Sequence, residues 1–542
     1  MNRNIIALGF LALLPLAAAA QDVTWNVVAS EDFRVPMGPL QTNSDRTLDE
    51  LYLLESGSGR FGFWHSSPDV DRGLWAYNGA SYTRYMKFNQ AGGSGGPNRT
   101  GTEQSHVFLE RYSGYDDAAP DGRRAFLARA GIPNDSGSQS NGVWFWLGIG
   151  ANREVARAMT DGPLGPALGP GWYIDGSSGF LQVRTLPGAG VLVDATVVAP
   201  NTSRSDTIFK YVSGTGNVPC ALSGAAPVNL SPGLVAGDQF SRWSSNSRVR
   251  TIDAQGHVYG LFETSGSRAG IFELCNGAPR ALAADDETGN RGPGLSSPNG
   301  IFSSFYNGAI LGEPGLFSFV AIARDAPGGN SVNGVFRNDG TRNKPLALSG
   351  DTGIYSPHWN GAVFTSFNED TLDAGGRYVV FGATVNSGGT SVAGVFRAGA
   401  SGGPRPIALV NVLVDYGPGN SQTWTNFYER AVFANGDIVM RARTSADDTA
   451  IWLFQEGKPA RRILGPGSAI TLPTTSGNVQ TTLSSLDLDG STGAQYASGR
   501  NGWAASDGTV LVRGYSNTYG EIWLTAKPSN TAEYIFKDNF GG

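Results

Sequence analysis

Charged residues are scarce in this 542-residue sequence, because Asp, Glu, Lys and Arg together make up 16% of it, well below the usual quarter. The formal net charge is −6, so the chain lacks the basic surface that nucleic-acid binding needs. Two cysteines and four scattered histidines are too few for a structural zinc site of ordinary spacing. We therefore expect no nucleic-acid partner, no metal site and no cofactor.

Sequence motifs of common catalytic sites are also missing. The chain contains no G-x-S-x-G, no H-E-x-x-H and no P-loop. Its one G-x-G-x-x-G match, from Gly57 to Gly62, reads as a hairpin turn with no helix after it, and so does not indicate a dinucleotide site. Asp487 and Asp489 form only a fragment of a calcium loop, which needs further oxygen ligands. The sequence therefore assigns no catalytic residue.

Long hydrophobic runs are confined to the N-terminus. A short basic start precedes the apolar run Ile5 to Leu14, and small residues end it at Ala20. This pattern predicts a signal peptide over residues 1–20 and a secreted or periplasmic mature chain without a membrane span. In an oxidising compartment two cysteines more often pair than stay free, so Cys220 and Cys275 are predicted to form a disulfide.

Glycine and aromatic residues are abundant instead. Glycine occupies 76 of 542 positions, and Phe, Trp and Tyr together make up 11%. This composition favours many short strands joined by tight turns.

A short kernel recurs along the chain: usually a small residue, then an aliphatic one, then Phe or Trp. The aromatic members are Trp75, Trp144, Phe209, Phe272, Phe336, Phe396, Trp452 and Trp523. Their mean spacing is (523 − 75)/7 = 64 residues, and near-even recurrence of this kind is typical of repeat architectures. Hairpin signals such as Asp-Gly precede many of the kernels and a short strand follows most of them, so each unit offers about four strands.

Stacking such sheets around an axis buries both faces of each, which predicts an all-β fold, an eight-bladed β-propeller spanning residues 21–542 as a single domain. A β-solenoid and a seven-bladed propeller are the alternatives. The kernel's aliphatic and aromatic side chains should contact opposite neighbouring blades and serve as core. Segments 22–33 and 532–540 are expected to meet in one blade and close the ring.

The repeat resembles a known family. Units reading D-A-x-G-x-V-x-F, then G-[IV]-[FW]-R and L-A-L, resemble exported bacterial tandem-repeat β-propeller proteins, which are mostly uncharacterised. The best matches are residues 373–409, 253–282 and 317–348, and the resemblance covers about residues 48–525. It implies export and a role at the cell envelope, and it carries over no catalytic residue.

Two functions are compatible with these features. The first is an exported, non-catalytic binding or scaffold module, a monomer whose partner is an unknown protein or glycan. The second is a secreted hydrolase or lyase that acts on polysaccharide with two carboxylates at the mouth of the axial channel. A pair of converging carboxylates in one pocket would favour the enzyme, and we predict that no such pair exists.

Overall fold

The computed structural model describes residues 23–32, 34, 47–53, 61–66, 73–77, 81–92, 95–99, 105–118, 123–148, 150, 152–176, 179–186, 188, 190–224, 226–234, 237–243, 248–252, 256–306, 311–313, 316–375, 378–399, 403–413, 416–419, 421–433, 435–487 and 509–528. Within these ranges the regular structure is β-strand, apart from short 3-10 helices at Ser136–Ser138, Gly162–Leu164, Val228–Leu230 and Gly289–Arg291. The predicted signal peptide lies outside them.

The strands of the first half of the chain are short and follow one another closely. They are β1 (Val23–Ser30), β2 (Thr47–Leu53), β3 (Phe61–Ser66), β4 (Gly73–Tyr77), β5 (Tyr82–Lys87), β6 (Pro97–Asn98), β7 (Val107–Ala118), β8 (Arg124–Gly131), β9 (Ser140–Trp146), β10 (Asn152–Arg157), β11 (Tyr173–Ile174), β12 (Phe180–Leu186), β13 (Gly190–Val198), β14 (Arg204–Val212), β15 (Gly216–Leu222), β16 (Arg248–Ile252), β17 (Val258–Glu263), β18 (Ala269–Leu274) and β19 (Arg280–Ala284).

The second half continues in the same way. Its strands are β20 (Ile301–Phe305), β21 (Leu311–Glu313), β22 (Leu316–Arg324), β23 (Ser331–Asn338), β24 (Asn343–Leu348), β25 (Val363–Gly375), β26 (Tyr378–Ser387), β27 (Thr390–Ala398), β28 (Arg405–Leu409), β29 (Trp424–Val432), β30 (Ile438–Thr444), β31 (Thr449–Phe454), β32 (Arg461–Leu464), β33 (Ala469–Thr474), β34 (Gly477–Thr482), β35 (Ser485–Asp487), β36 (Val510–Ser516) and β37 (Gly520–Pro528).

Seven sheets are each built from one continuous stretch of chain, and we number them as blades. Blade 1 is β2–β5, blade 2 is β6–β10, blade 3 is β11–β15 and blade 4 is β16–β19. Blade 5 is β20–β24, blade 6 is β25–β28 and blade 7 is β29–β32. A further sheet, the closing sheet, has the order β1-β37-β36-β35 and combines strands from both ends of the described chain. The hairpin β33–β34 packs between blade 7 and the closing sheet.

Hydrophobic clusters join each sheet to the next and complete a ring. Successive blades share a buried cluster at every interface from blade 1 to blade 7. Two further clusters join the closing sheet to blade 7 and to blade 1. The fold is therefore an all-β propeller, and the solenoid alternative is wrong because a solenoid has open ends.

The strand at one edge of each blade lies toward the axis of the ring, for example β7 in blade 2 and β25 in blade 6. Strand β7 contacts β12, β21 contacts both β16 and β25, and β25 contacts β29, so these inner strands of neighbouring blades approach one another. Sheets arranged as a fan converge only at their inner edges. The strands at the opposite edges, such as β28 in blade 6, consequently form the outer rim.

The kernel occupies the last strand but one of each blade in chain order, and its side chains divide as predicted in the seven blades. In blade 6, Phe396 packs in the cluster shared with blade 5, whereas Val395 packs in the cluster shared with blade 7. The last strand of each blade carries one extra residue opposite the junction between the aliphatic and the aromatic residue, as at Val395 and Phe396. The same bulge recurs in all seven blades.

The predicted eight-bladed propeller of four-stranded units is wrong, and the seven-bladed alternative describes the fold. In the closing sheet the bulge falls between Trp523 and Leu524, and Ile522 instead of Trp523 packs toward blade 7. Three of the blades, 2, 3 and 5, have five strands instead of four. The structure thus has seven equivalent blades, each from one continuous segment, and a closing sheet with the kernel shifted by one residue.

The ring closes by pairing β1 with β37 in antiparallel register from Val23 opposite Pro528 to Ser30 opposite Ile522. Strand β1 lies within the segment that the sequence predicts for this role. Its partner is β37, and the predicted partner at 532–540 falls outside the described residues. The prediction that the two ends share one sheet is confirmed for β1 and β37.

Asparagines fasten several blades to the one before. Each stands three residues before the bulge residue of its own blade, and its side-chain N–H group donates to the main-chain oxygen of the preceding blade's bulge residue. These bonds are Asn152 to Tyr85 at 2.6 Å, Asn217 to Val155 at 3.0 Å and Asn343 to Leu282 at 3.1 Å. We call these three residues the asparagine clamps of blades 2, 3 and 5.

Candidate binding groove between blades 6 and 7

The bulge in β28 is the starting point of the candidate site. Its extra residue is Ile407, which lies between the partners of Val395 and Phe396. Ile407 is half-buried and packs against the cluster shared with blade 7, as Leu346 and Ile463 do at the bulges of blades 5 and 7. The corresponding residues Cys220 and Leu282 of blades 3 and 4 are fully buried. A bulge redirects a side chain out of the regular pleat, so an apolar residue here must be covered or remain open to solvent.

The asparagine clamp is missing at this interface. The ladder position in blade 7 that corresponds to Asn343 is Ala460, because Trp452 pairs with Arg462 as Phe336 pairs with Pro345. Alanine has no side-chain N–H group that could donate to the main chain of β28. Ala460 instead lines a cavity of about 700 Å³ that opens between the two blades.

The walls of this cavity, which we call the groove, come from three segments. Strand β28 supplies Pro406 and Ile407, the following connection supplies Leu413 and Tyr416, and blade 7 supplies Ile438, Phe454 and the turn from Gln455 to Ala460. Most of these side chains are apolar. The groove therefore offers a mainly hydrophobic interior, and Leu413 at its margin is 55% exposed.

Main-chain hydrogen bonds hold the connection in place. The carbonyl oxygen of Tyr416 accepts from the Trp424 indole N–H at 2.8 Å and from the Leu409 amide at 3.2 Å. On the opposite wall the buried Asp437 carboxylate accepts from the Gln455 side chain at 2.9 Å, which fixes the start of the blade 7 turn. Both walls are thus preorganised, because each is tied to a strand.

Four charged residues line the groove. The Arg397 guanidinium is 8% exposed, donates to the Gly436 oxygen at 3.0 Å, lies over the Tyr378 ring at 5.0 Å and pairs with Glu456 at 2.9 Å. Arg405 and Lys458 are exposed, and no ion pair of either is found within the described ranges. Among the lining residues that the structure describes, three cations stand against one carboxylate, in a chain whose formal charge is −6.

Carboxyl groups with raised pKa values lie elsewhere. Burial raises the pKa of Asp285 to about 6, at the end of the fourth strand of blade 4. One of its oxygens accepts from the Ala269 amide at 3.1 Å. Burial also raises the pKa of Glu521, although its ion pair with Arg513 opposes the shift. Neither carboxyl lines the groove, and each has a structural partner.

The cysteines predicted to pair are joined by a disulfide in the structure. Cys220, the bulge residue of β15 in blade 3, is bonded to Cys275 just after β18 in blade 4, with the two Cα atoms 4.6 Å apart. The Lys210 ammonium also donates to the Cys275 oxygen at 2.7 Å. This interface lacks an asparagine clamp as well, since Pro279 stands at the clamp position, and the disulfide and the lysine hold it instead.

The calcium-loop fragment is not brought together with other ligands. Asp487 ends β35, whereas Asp489 lies outside the described residues. Among the side chains that the structure describes, no three His, Cys, Asp or Glu residues gather closely enough to hold a metal ion. In the same part of the chain no helix is long and apolar enough to cross a membrane.

Comparison with known proteins supports the fold class and no more. No protein-family model matches the chain, and no curated protein sequence matches it. Among solved structures, the β-propeller domain of the trilobed protease from Pyrococcus furiosus is similar at 9% identity with a TM-score of 0.31, covering 77% of this chain and 95% of that one. The β-propeller domain of Nup133 from Vanderwaltozyma polyspora is similar at 11% identity with a TM-score of 0.23, covering 74% and 91%.

An α-L-arabinanase from Penicillium chrysogenum is similar at 12% identity with a TM-score of 0.22, covering 66% of this chain and 98% of that one. These neighbours include a protease, an arabinanase and Nup133. At such scores the likenesses carry no functional argument. The protein is therefore placed in the β-propeller class by its own sheet topology, and no narrower family is established.

Sequence reasoning missed the groove, although a signal for it was present. The aligned phrases "NKPLAL", "PRPIAL" and "ARRIL" end the units of blades 5, 6 and 7. Their clamp positions are Asn343, Pro404 and Ala460, so the loss of the donor can be seen in the alignment. Its meaning depends on the asparagine reaching the preceding blade, which only the structure shows.

Proposed function

We propose that this protein is an exported, non-catalytic binding module that captures a partner in the groove between blades 6 and 7. The observation that carries the proposal is a cavity of about 700 Å³ with apolar side chains in its walls and a cationic margin, at one of the interfaces that lack a clamp. Its volume lies within the roughly 300–1,000 Å³ typical of ligand sites. The disulfide between Cys220 and Cys275 supports export, because such bonds persist in oxidising compartments.

The alternative function is polysaccharide hydrolysis or elimination by carboxylates at the mouth of the axial channel, and the groove does not supply that chemistry. Glycoside hydrolysis needs two carboxyl groups about 5–10 Å apart across the scissile bond. The groove lining includes one carboxylate, Glu456, and that group is paired with Arg397. Burial raises the pKa of Asp285, and its carboxyl group accepts from the Ala269 amide at the start of β18, which is a structural role.

A comparison of two surface variants tests the proposal. Leu413→Asp places a charge on the groove margin. Ile354→Asp is the control, because it makes a comparable change at a residue that is 66% exposed in the connection between blades 5 and 6. Immobilised wild-type protein and both variants are incubated with envelope and culture-medium fractions of the source cells. A partner held by the wild type and by Ile354→Asp, but lost with Leu413→Asp, is the expected result.

Capture that is equal for all three proteins would refute the groove as the binding site. Release of reducing ends from envelope polysaccharide, abolished by Glu456→Gln, would replace the binding function with the hydrolytic one. Both variants should first show the circular dichroism spectrum of the wild type, because each replaces a residue that packs against little.

A further inference from the structure

Resting on the proposed function, we infer that the groove binds an acidic, apolar peptide segment of a partner protein. The segment places an aliphatic or aromatic side chain against Ile407 and Leu413, and its flanking carboxylates pair with Arg405 and Lys458. This assignment follows from the chemistry of the lining, taken one feature at a time.

The floor selects an apolar side chain. Ile407 is half-buried and Leu413 is 55% exposed, whereas Pro406, Ile438 and Phe454 are buried behind them. The apolar surface still open to water therefore comes mainly from Ile407 and Leu413. Covering this surface removes it from water, which stabilises a complex by about 25 cal/mol for each Å² of apolar area buried. Gln455 and Tyr416 are the uncharged side chains with polar groups in the lining, too few for the dense hydrogen bonding that a sugar chain requires.

The margin selects negative charge. Arg397 already contacts Glu456, the Gly436 oxygen and the Tyr378 ring, so its side chain is held in place and forms part of the groove wall. Arg405 has no partner among the described side chains, and the Lys458 ammonium has only an amide oxygen, that of Gln455 at 3.3 Å. These two exposed cations flank the apolar floor from opposite blades, and a peptide carboxylate would complement each.

Strand addition to β28 is disfavoured, so side chains must carry the recognition. Pro406 removes an N–H group from the middle of this outer strand, and prolines blunt an edge against pairing. The Leu409 amide already donates to the Tyr416 oxygen, and the Val410 amide donates to the Ala393 oxygen. A bound segment would therefore contact the groove through alternate side chains rather than extend the sheet.

A random 12-residue peptide library displayed on phage, selected on the oxidised wild-type protein at low ionic strength, tests this inference. Selected peptides should carry Asp or Glu on either side of Leu, Ile or Phe. Synthetic copies should bind the double variant Arg405→Glu/Lys458→Glu about 10- to 30-fold more weakly, since two exposed ion pairs contribute up to about 1 kcal/mol each. Arg342→Glu, an equal charge change on exposed blade 5 surface, should leave binding unchanged.

The outcomes separate the inference from the proposed function. Peptides that are apolar but not acidic, and whose binding responds to Leu413→Asp but not to the double variant, would overturn the acidic specificity and leave the groove as the binding site. Binding that responds to neither variant would overturn both. If no peptide binds, the peptide inference is overturned, and the groove itself is judged by whether Leu413→Asp abolishes partner capture. Binding of oligogalacturonate in place of peptides, with the same response to the variants, would overturn the peptide class and retain the charge preference.

Discussion

Replacing the clamp Asn343 with Asp tests whether single buried asparagines hold the outer rim together. Asn343 is fully buried, and its side-chain N–H groups donate to the oxygens of Leu282 at 3.1 Å, Gly292 at 3.0 Å and Asn290 at 3.3 Å. Aspartate has nearly the same volume, so it leaves no cavity. It cannot donate two N–H bonds, and its oxygens would face main-chain oxygens that have lost their donors.

The magnitude follows from the bonds that are lost. Two hydrogen bonds at about 1 kcal/mol each, with a further cost for buried oxygens left without a donor, give a local loss of about 2–4 kcal/mol. Blade 4's connection to blade 5 should then open more readily. Since 1.4 kcal/mol is a factor of ten, amide exchange in residues 282–302 should accelerate roughly 30- to 1,000-fold.

Hydrogen exchange measured by mass spectrometry is the appropriate assay, because it reports this segment separately from the rest of the ring. Asn386→Asp is the matched control: its Oδ1 only accepts from the Gly389 amide, and aspartate keeps that bond. Exchange in residues 282–302 within threefold of wild type in Asn343→Asp would refute the reasoning. It would mean that the neighbouring packing, and not the clamp, determines how often the segment opens.

Other consequences can be measured on the same protein. Asp285→Ser removes a carboxyl group whose pKa is raised by burial to about 6. Serine keeps a hydrogen-bond acceptor there, as Ser223 and Ser349 do in other blades, where they accept from the amides of Asp206 and Asn333. The folded state binds the Asp285 proton more tightly than the unfolded state does. The wild type should therefore lose about 1–2 kcal/mol of stability as the pH rises from 4 to 7, after allowance for partial exposure of the carboxyl group. Urea midpoints measured across this range should fall less in the variant than in the wild type. Reduction of the Cys220–Cys275 disulfide, with a sequence separation of 55, should cost about 4 kcal/mol on the chain-entropy model, visible as a lower urea midpoint with dithiothreitol. Glu154→Gln should cost about 3–5 kcal/mol, because Arg99, with a side chain 1% exposed, loses the carboxylate it contacts at 2.8 Å; an unchanged thermal midpoint would contradict this. Ala460→Asn should supply the missing clamp, raise the thermal midpoint and reduce peptide capture; capture at the wild-type level would show that the groove does not depend on the missing donor.

The sequence was sufficient for the blade but not for the closure of the ring. Hairpin turns and the aliphatic–aromatic kernel are local, so the four-strand pattern and the packing of Val395 and Phe396 on opposite faces could be predicted. The last kernel was placed one residue too early, because Glu521-Ile522-Trp523 fits the tripeptide pattern while the bulge that defines its phase lies opposite, between Val27 and Ala29. That partner is almost 500 residues away, and no local pattern records it.

The groove could not be predicted for a related reason. Ile407 reads as an ordinary strand residue in "PRPIAL", and Ala460 reads as a turn residue before "RRIL". The role of each residue depends on the adjacent blade. Ile407 is the half-buried bulge residue, and Ala460 stands where an asparagine side chain would donate to its main-chain oxygen. The cation Lys458 and the cation Arg405 likewise come from different blades, so their proximity is a property of the ring.

The pairing of β1 with β37 also imposes an order on biosynthesis. Ser30 and Glu521, which share a hydrogen bond, are separated by 491 positions, so at roughly 5–20 residues per second the ribosome needs about 25–100 s to deliver the second after the first. Throughout that interval the earliest strand has no strand of the closing sheet to pair with, although Val28 and Ala29 can already pack against Trp75 of blade 1. The other buried residues in the cluster around Val27 are all made later, so the burial of Val27 marks the completion of the ring.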